Sequence, residues 1–424
     1  MVGLFHFMFV NQRTFTLINN RLYSVGINFY GLSIRAASLF NEKAKLWVTG
    51  RKDFFKQLPS FENKKVYWFH CASLGEFDQA LPVINLLKQL DSSLFIVVTF
   101  FSPSGYLHYH KRDHKADYVC YLPLDTPTNA RKFIKAIQPD KLFFVKYEFW
   151  ANYIFEAKKT GAKLYSISAI FREEQRFFKK NDSFFKSILQ QFDHFFIQNK
   201  ESETLLESIG IQHHTITGDT RFDRVIENKK NVKENSCIKK FLQNEKAFII
   251  GSSWPVDEQI ILPLINNGSI KRKIIIAPHD ISKSHIKQIT EALTTSYVKY
   301  SELEKTTPTN NEQVLILDTI GNLSNAYSYG DIAYVGGGFT GSLHNILEPA
   351  VFGLPLLFGP KHKRFPEAQS FINEGIGFEI TNSEDFINSF NRIDKDIEQL
   401  QKKTVHFVAT QTGASQKIID YFYP

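Results

Sequence analysis

Long apolar runs that alternate with helix-like segments are the feature that most constrains the fold of this chain. From Val66 onward the runs VYWFHCAS, LFIVVTF and KLFFVKYEFW are separated by segments with helical spacing, and the alternation restarts at AFIIGSS. Strands that are apolar along their whole length are buried on both faces, as in parallel sheets covered by helices. The pattern therefore predicts an α/β chain of two Rossmann-like, doubly wound domains that face a cleft.

A Lys- and Asn-rich stretch separates the two halves of this alternation. With 424 residues the chain exceeds the usual size of one domain, which favours two domains of roughly 200 residues each. We predict an N-terminal segment at 1–60, a Rossmann-like domain at 61–225, a linker or peripheral helix at 226–245, and a second Rossmann-like domain at 246–424. Within the first domain, Arg172–Gln191 has the spacing of an amphipathic helix.

Charge and cysteine content narrow the class of partner and compartment. The formal net charge of +8 fits nucleic acid, anionic lipid or phosphorylated substrates equally well. No RRM, KH or zinc-finger pattern occurs, so no nucleic acid partner is predicted. The three cysteines, Cys71, Cys120 and Cys237, are far apart in the sequence. That spacing favours a reducing compartment and argues against a disulfide scaffold or a Cys-based metal site.

The first forty residues are unusually apolar. Leu4–Val10 and Val25–Phe40 are rich in Phe, Leu, Ile and Tyr, but residues such as Arg13 and Arg35 interrupt them. No run reaches the roughly 18 residues that a membrane-spanning helix needs. A basic cluster follows between residues 43 and 65. This combination predicts a segment that associates with an anionic membrane face, and the alternative is a helix packed on the protein body with a solvated basic face.

The stretch Gly336–Pro360 reads as a strand end, a glycine loop, a short helix and another strand. A glycine run lets the backbone approach a ligand, and a helix N-terminus attracts an anion such as phosphate. Proline is tolerated only in the first helical turn, so Pro349 places the helix start near Ile346. Asn345 and Glu348 then lie at the helix mouth, where Glu348 can accept hydrogen bonds from ribose hydroxyls. A nucleotide site is predicted, and an ordinary βαβ turn is the alternative.

Glu76 follows the first strand of the alternation and opens a helix. A carboxylate at this position can act as a general base on an alcohol. The alternative is structural, because Ser73 and Glu76 have the spacing of a capping box. No HExxH, DxD, CxxC, P-loop or GxSxG motif occurs at a useful position, so metal hydrolysis, P-loop chemistry and serine hydrolysis are poorly supported.

Two further charged clusters follow strands of the first half. Glu148 can balance charge in a cleft, or form a buried pair with Lys146. Arg221 can neutralise a carboxylate or phosphate of a substrate, or form a hinge ion pair with Asp219 or Asp223. Both alternatives remain open from the sequence.

In the second half, Ser252 and Ser253 offer hydroxyl groups and loop N–H groups to a phosphate. His279, after Pro278, can donate to the phosphate or stack near a base, and its alternative is a structural histidine.

Taken in order, the motifs HCASLGEF, GSSWP, APHD and GGGFTGSLHNILEPAVFGLPLLFGP resemble the 3-deoxy-D-manno-octulosonic acid (Kdo) transferases of lipopolysaccharide biosynthesis over most of the chain. The resemblance implies a GT-B fold and an inverting, metal-independent glycosyltransferase that moves Kdo from CMP-Kdo to a lipid A precursor, lipid IVA. It implies no cofactor, because CMP-Kdo is a donor substrate. The implied location is the cytoplasmic face of the inner membrane of a Gram-negative bacterium, where the enzyme is peripheral or anchored by its N-terminus on the anionic surface.

The resemblance also implies roles for individual residues. Glu76 matches the general base, and Glu148 and Arg221 match residues that support the transition state. The residues matched to CMP binding are Pro278, His279, Ile320, Gly321, Asn322, Asn345, Ile346, Leu347 and Glu348. Ser252, Ser253, Gly337 and Gly338 complete the predicted nucleotide site, and no metal ligand is predicted.

Three departures from the family pattern bear on these roles. The family often has Thr-Glu-Leu-Trp-Pro where this chain has Tyr147-Glu148-Phe149-Trp150-Ala151, which keeps the glutamate. A lysine is common in the family where Arg221 stands, which keeps the cation. The loop commonly reads Gly-Glu-Leu where this chain has Gly321-Asn322-Leu323, which puts a charge-specific role at position 322 in doubt. Two other functions stay open. One is a GT-B transferase or epimerase that uses a UDP-sugar, and the other is a non-catalytic membrane-surface scaffold that keeps a nucleotide pocket.

Overall fold

In the computed structural model the chain forms two compact units. Residues 1–224 and 412–424 form the first unit, and residues 225–411 form the second. The structure describes residues 2–146, 148–180, 182–303 and 311–424, with the backbone alone for residues 2–19. The apolar run Leu4–Val10 therefore lies outside the described side chains. Each unit contains a seven-stranded parallel sheet, which confirms two doubly wound α/β domains.

The sheet of the first unit has inner strands that are buried on both faces, whereas its edge strand at His214–Ile216 is largely exposed. Its strands are β1 (Val66–Cys71), β2 (Phe95–Phe100), β3 (Tyr118–Tyr121), β4 (Lys141–Val145), β5 (Lys163–Ala169), β6 (His194–Ile197) and β7 (His214–Ile216). Their order is β3-β2-β1-β4-β5-β6-β7. Because the chain moves outward from β1 to β3 and then returns to place β4 beside β1, the switch point of the sheet lies between β1 and β4.

Helices cover both faces of this sheet. They are α1 (Val2–Ala37), α2 (Glu42–Thr49), α3 (Phe54–Gln57), α4 (Leu74–Leu90), α5 (Pro103–His108), α6 (Pro127–Ile137), α7 (Ala151–Lys159), α8 (Ser183–Leu189) and α9 (Lys200–Ser208). The helix predicted over Arg172–Gln191 is wrong in extent, because the described residues of this range form α8 and a 3₁₀ turn at Arg176–Phe178 instead of one continuous helix. The Phe177 ring packs on Phe149 and Phe171, and this aromatic packing accompanies the irregular path.

The sheet of the second unit repeats the same architecture. Its strands are β8 (Ala247–Ser253), β9 (Lys273–Pro278), β10 (Tyr297–Lys299), β11 (Val314–Ile316), β12 (Gly330–Val335), β13 (Leu356–Phe358) and β14 (Gly377–Glu379). The order β10-β11-β9-β8-β12-β13-β14 places the switch point between β8 and β12.

The remaining helices follow the chain from the unit boundary to the C-terminus. They are α10 (Thr220–Lys230), α11 (Ser236–Leu242), α12 (Pro255–Asn266), α13 (Lys283–Ala292), α14 (Tyr300–Leu303), α15 (Leu323–Ala326), α16 (Leu347–Ala350), α17 (Pro366–Asn373), α18 (Ser383–Lys395), α19 (Ile397–Thr410) and α20 (Ala414–Phe422). The region that we predicted as a linker or peripheral helix, 226–245, holds the end of α10 and all of α11.

We predicted that residues 246–424 form one domain. The last helix, α20, instead belongs to the first unit. Its Ile418 and Ile419 side chains are buried in the core beside α4 and β1. Asp223 also accepts backbone N–H bonds from Gly413 and Ser415, both at 2.6 Å. Hydrophobic burial and these two hydrogen bonds attach the C-terminal residues to the first unit.

Helix α1 packs on the body of the first unit along one of its faces. Tyr23 donates its hydroxyl to Asp125 at 2.7 Å, and Ser24 donates to the Asn152 side chain at 3.3 Å. The opposite face leaves large apolar side chains exposed. Within the described part of the chain, no helix combines the length and apolar character needed to cross a bilayer.

Candidate active site

The predicted site residues lie at the carboxyl ends of strands that flank the two switch points. In the first unit, Glu76 follows β1 and Glu148 follows β4, and these strands are neighbours. In the second unit, Ser252 and Ser253 end β8, and the glycine run follows the neighbouring β12. Ligands of doubly wound sheets bind in the crevice that opens at such points.

Glu76 lies in the first turn of α4 and is only 8% exposed. Its Oε2 accepts the Ser73 N–H at 2.9 Å, so the capping contact that the sequence left open is present. Burial, and then the nearby Glu148 carboxyl, raise the pKa of Glu76 to about 7, while Lys146 and the backbone N–H groups oppose this rise. A carboxylate with a pKa near neutrality is suited to general base catalysis, and capping through one oxygen is compatible with that role.

Glu148 stands beyond a sharp turn at the end of β4. The strand was predicted to continue to Trp150, but it ends at Val145 because Lys146 adopts a left-handed conformation with φ of 61°. Tyr147 lies outside the described residues. Burial raises the pKa of the Glu148 carboxyl. The turn therefore brings a second partly buried carboxyl close to Glu76, with the Lys146 ammonium near both strand ends.

A buried histidine that the sequence reading did not single out supports this turn. His70 accepts the Trp150 indole N–H at its Nε2 at 3.0 Å, and its Nδ1 lies 2.9 Å from the Thr99 hydroxyl. An indole N–H only donates, so His70 Nε2 is unprotonated. Burial lowers the pKa of His70 to about 3, consistent with a neutral ring. The sequence signal that could have identified His70 is its position at the start of the HCASLGEF motif.

Arg221 forms an ion pair with Asp219, which was one of the two possibilities that the sequence left open. Its Nε donates to Asp219 Oδ2 at 2.8 Å, and its backbone N–H donates to Oδ1 at 2.9 Å. Asp219 Oδ1 also accepts from the Gln79 side chain at 2.9 Å. Burial opposes ionisation of Asp219, but Arg221 and these hydrogen bonds hold the pKa of this carboxyl below its usual value. Asp219 thus fixes the orientation of the Arg221 side chain. The role of Arg221 toward a substrate stays a prediction.

The three glycines after β12 are required by close packing. A Cβ at Gly336 would lie 2.1 Å from the Ser252 carbonyl oxygen, and one at Gly338 would lie 2.4 Å from the Gly359 nitrogen. The Gly336 N–H donates to Gly251 O at 2.9 Å. The Gly337 N–H donates to the Asp257 carboxylate at 3.1 Å. A phosphate at Gly337 would therefore have to replace a protein acceptor, and the binding role predicted for Gly337 and Gly338 remains a prediction.

Asp257 is a buried anchor for this loop that sequence reasoning missed. One oxygen accepts the N–H groups of Gly337 and Trp254, at 3.1 and 2.8 Å, and the other accepts the Tyr334 hydroxyl at 2.6 Å. These bonds connect the loop after β12 with the start of α12. The only sequence signal was an acidic residue three positions after Trp254, the spacing of a capping residue.

The start of the helix that Pro349 predicted near Ile346 is confirmed. α16 begins at Leu347 with Ile346 as its N-cap residue, and it is a single turn, so its dipole is small. Asn345 donates its amide to Glu348 Oε1 at 3.2 Å and accepts the Leu347 N–H at 3.1 Å. Ile346 and Leu347 are buried, whereas Asn345 is exposed. Asn345 and Glu348 therefore form the accessible polar pair of the predicted site.

A stacked group of aromatic rings connects the loops after β8, β9 and β12. The Trp254 ring lies parallel to His279, with 4.4 Å between ring centroids. Its indole N–H donates to His344 Nε2 at 3.1 Å. Burial, and then His279, lower the pKa of His344 to about 4, so the ring is neutral at pH 7. Trp254 and His344 were not predicted as site residues. Trp254 lies in the GSSWP motif, and His344 lies in the GSLHN part of the glycine-loop motif.

The serine and loop residues of the second unit differ in accessibility. Ser252 has a positive φ of 54° and is half-buried, whereas the buried Ser253 hydroxyl donates to Glu258 at 2.8 Å. Pro278 is buried at the end of β9 and His279 is exposed. The Ile320 side chain is 79% exposed.

The loop after β11 leads into α15, which contacts α16. Gly321 has a φ of 96°, and Asn322 donates to the Thr319 hydroxyl at 2.9 Å. Ser324 donates to Glu348 at 3.3 Å. The structure thus brings the start of α15, directly after this loop, to Glu348.

Comparisons with known proteins fit this arrangement. The family model described as 3-deoxy-D-manno-octulosonic-acid transferase (kdotransferase) matches residues 49–224. A 3-deoxy-D-manno-octulosonic acid transferase of Aquifex aeolicus is 27% identical over 81% of this chain and 90% of its own length. A bifunctional glycosyltransferase/methyltransferase of Fusobacterium nucleatum is 26% identical over 84% of this chain, which spans 56% of that relative.

Solved structures show the same fold at lower sequence identity. A UDP-GlcNAc 2-epimerase from Neisseria meningitidis, bound to UDP-GlcNAc, superposes with a TM-score of 0.61 at 16% identity, over 85% of this chain and 99% of the epimerase. The two doubly wound units and this likeness show a GT-B fold. The family match and the curated relatives support a glycosyltransferase. Within that class, the resemblance to the Kdo transferases of lipopolysaccharide biosynthesis is confirmed by the family match and the relatives.

Proposed function

We propose that this chain transfers Kdo from CMP-Kdo to a lipid A precursor with inversion at the anomeric carbon. The observation that carries the proposal is the Glu76 carboxyl, which is buried at the switch point of the first sheet and has a pKa of about 7. A lipid hydroxyl loses its proton to Glu76 while its oxygen attacks the anomeric carbon from the side opposite to CMP, and the bond from that carbon to the phosphate oxygen breaks as CMP leaves with the electron pair. Attack from that side inverts the configuration.

The second unit would hold the donor. Glu348 and Asn345 offer hydrogen-bonding groups to the ribose, and the exposed His279, backed by Trp254, offers a flat surface and an N–H. The donor already carries a carboxylate and one phosphodiester, so cationic and N–H groups can stabilise departing CMP. We therefore propose that transfer needs neither a metal ion nor a further cofactor, and that Glu148 and Arg221 support the developing charge.

Helix α1 supplies a surface that suits a lipid acceptor and a membrane. Leu22, Val25, Phe29 and Leu32 form one stripe on its outer face and are 65, 66, 71 and 59% exposed. An exposed apolar stripe beside basic residues favours an anionic membrane surface. We place the enzyme on the cytoplasmic face of the inner membrane through this stripe.

A cavity of about 890 Å³ lies beside the stripe, between α1, α2, α3 and residues 123–132. Arg35, Lys52, Lys56 and Lys132 line it, together with apolar residues such as Leu32. Basic groups at the edge of an apolar cavity match the phosphates and acyl chains of a lipid A precursor. This chemistry supports lipid IVA as the acceptor.

Replacement of Glu76 by Gln tests the proposal. Glutamine keeps an oxygen that can accept the Ser73 N–H but cannot take a proton, so we expect transfer to fall by about 10²- to 10⁴-fold. The product made from CMP-Kdo and a tetraacyl lipid A precursor is measured by mass spectrometry. Glu62→Gln, at an exposed glutamate of the same unit, is the matched control. Transfer by Glu76→Gln near the wild-type rate would show that another group is the base.

Donor identity and membrane contact each need a separate measurement. Protection from thermal unfolding should be larger with CMP than with UDP, and the reverse result would favour a UDP-sugar donor. For the membrane, Val25→Ser/Phe29→Ser should reduce co-sedimentation with phosphatidylglycerol vesicles. Leu90→Ser, at a side chain that is 56% exposed elsewhere in the first unit, should leave co-sedimentation unchanged. Equal binding by both variants would contradict the proposed membrane face.

A further inference from the structure

A second polar cluster lies at the opposite end of the first sheet from the candidate base. Glu203 and Glu207 are four residues apart on α9 and so share one face of that helix. His214 is the first residue of β7, the edge strand of the sheet. Because the strands are parallel, the first residue of β7 lies at the amino ends of the strands, away from the loops that carry Glu76 and Glu148.

The three side chains converge at separations that suit ligands of a common ion. His214 Nε2, the nitrogen available to an ion, lies 3.6 Å from Glu207 Oε1. Glu203 Oε1 lies 3.7 Å from Nδ1, the other nitrogen of the same ring. Both distances are too long for hydrogen bonds. One ligand atom from each residue lies within 4.8 Å of the others. Two ligands of one tetrahedral zinc ion are about 3.4 Å apart at metal–ligand distances of roughly 2.1 Å.

The histidine itself points to a ligand. Its side chain is only 8% exposed, and its Nε2 is buried without a hydrogen-bond partner among the described residues. A buried polar atom without a partner is costly, and a bound ion would satisfy it. Lys200 pairs with Glu203 Oε2, which leaves Oε1 directed toward His214.

We propose that Glu203, Glu207 and His214 bind one divalent transition-metal ion of the zinc class, with water as a fourth ligand. One imidazole with two carboxylates favours such an ion over Mg²⁺ or Ca²⁺, which prefer oxygen ligands alone. The ion would clip the edge strand β7 to α9. The site is structural and separate from the transfer chemistry, so the proposed metal-independent mechanism and this site can fail independently.

Zinc titration of the chelator-treated full-length protein tests the site. We expect one Zn²⁺ per chain by calorimetry, a higher Tm with zinc, and the visible spectrum of tetrahedral Co²⁺ on substitution. Loss of an outer partner of a metal site weakens binding about 10- to 100-fold, so loss of a ligand in Glu207→Gln or His214→Gln should weaken it by at least about 100-fold. Mg²⁺ and Ca²⁺ should not compete.

Two control variants keep the result specific. Glu201→Gln changes an exposed glutamate on the same helix, and His213→Gln changes the neighbouring histidine, and both should bind zinc as the wild type does. The Glu207 side chain is 46% exposed, so Glu207→Gln should fold even if His214→Gln does not. The absence of zinc binding by the wild type, equal binding by Glu207→Gln, or loss of binding in His213→Gln would each overturn the proposal.

Discussion

A carboxyl group acts as a general base only when it is ionised, so the pKa of Glu76 sets the pH range of the proposed transfer. With a pKa of about 7, the rate should rise about tenfold per pH unit below pH 7 and level off above it. The pH dependence of Kdo transfer measures this directly. A rate that stays constant from pH 5 to pH 8 would contradict the assignment of Glu76 as the base.

Two neighbouring charges allow the same pKa to be moved in opposite directions. The Glu148 charge raises the pKa of Glu76 and the Lys146 charge lowers it. Glu148→Gln should therefore shift the acidic limb of the rate profile to lower pH, whereas Lys146→Gln should shift it to higher pH. Either variant can also lower the maximal rate, but the limb position is read independently of the maximum. Shifts in the same direction would refute this electrostatic account.

Within single elements, the glycine loop after β12 is constrained by close backbone contacts. Gly336→Ala places a methyl group 2.1 Å from the Ser252 carbonyl, where no flexible side chain can yield. We expect a loss of stability of roughly 1–3 kcal/mol or more, measured by urea unfolding, with weaker protection by CMP.

Gly26→Ala is the control for this substitution, because a Cβ at Gly26 in α1 meets no atom within 4 Å. Alanine favours a helix over glycine by up to about 1 kcal/mol, so this variant should be neutral or more stable. If both alanine variants behaved alike, the close approach of β8 and β12 at Gly336 would not limit stability.

Helix α1 offers an element whose attachment rests on a few polar contacts. Tyr23→Phe removes the hydroxyl that donates to the buried Asp125 at 2.7 Å. Loss of a donor to a buried carboxylate should cost about 1–3 kcal/mol and increase hydrogen exchange in the second half of α1. Tyr30→Phe, at a side chain that is 44% exposed on the same helix, should change neither quantity. Equal exchange in the two variants would show that α1 is held by apolar packing alone.

Elements with strong local patterns could be predicted, and elements defined by distant contacts could not. The buried central strands were evident from their apolar runs, and Pro349 located the start of α16. β7 and β10 were not predicted, because each has only three residues and lies at a sheet edge. An edge strand is less buried, so its sequence carries a weaker apolar pattern. From the sequence, the candidate site residues could be located directly after the ends of predicted strands.

What the sequence could not show is how these loops hold one another. The bond from Gly337 to Asp257 spans 80 residues, and that from Trp254 to His344 spans 90. Neither has a local signature, because each partner is acceptable in its own segment without the other. Arg221 differs from these, because its partner Asp219 is only two residues away and the sequence already offered this ion pair as one of two possibilities.

At the scale of the whole molecule, the chain completes its first unit only with its last helix. Ile418 and Ile419 are 0 and 2% exposed, and the Phe422 ring packs on Tyr165 with 4.8 Å between centroids. Burial of each such side chain contributes about 1.5–3 kcal/mol, against a total stability of about 5–15 kcal/mol for a typical domain. The first unit therefore depends on residues that follow the entire second unit in the sequence.

Deletion of residues 412–424 should destabilise the first unit selectively. Trp47, Trp68 and Trp150 belong to the first unit and Trp254 to the second, so a Trp254→Phe background reports on the first unit alone. In that background the deletion should shift the urea transition of tryptophan fluorescence to a much lower concentration.

Two point variants grade the effect of this deletion. Ile418→Ala should give an intermediate shift of about 2–5 kcal/mol, because it leaves a cavity in the core. Val405→Ala, at a side chain of α19 that is 48% exposed, should have little effect. An unchanged transition in the truncated chain would mean that the first sheet is stable without α20.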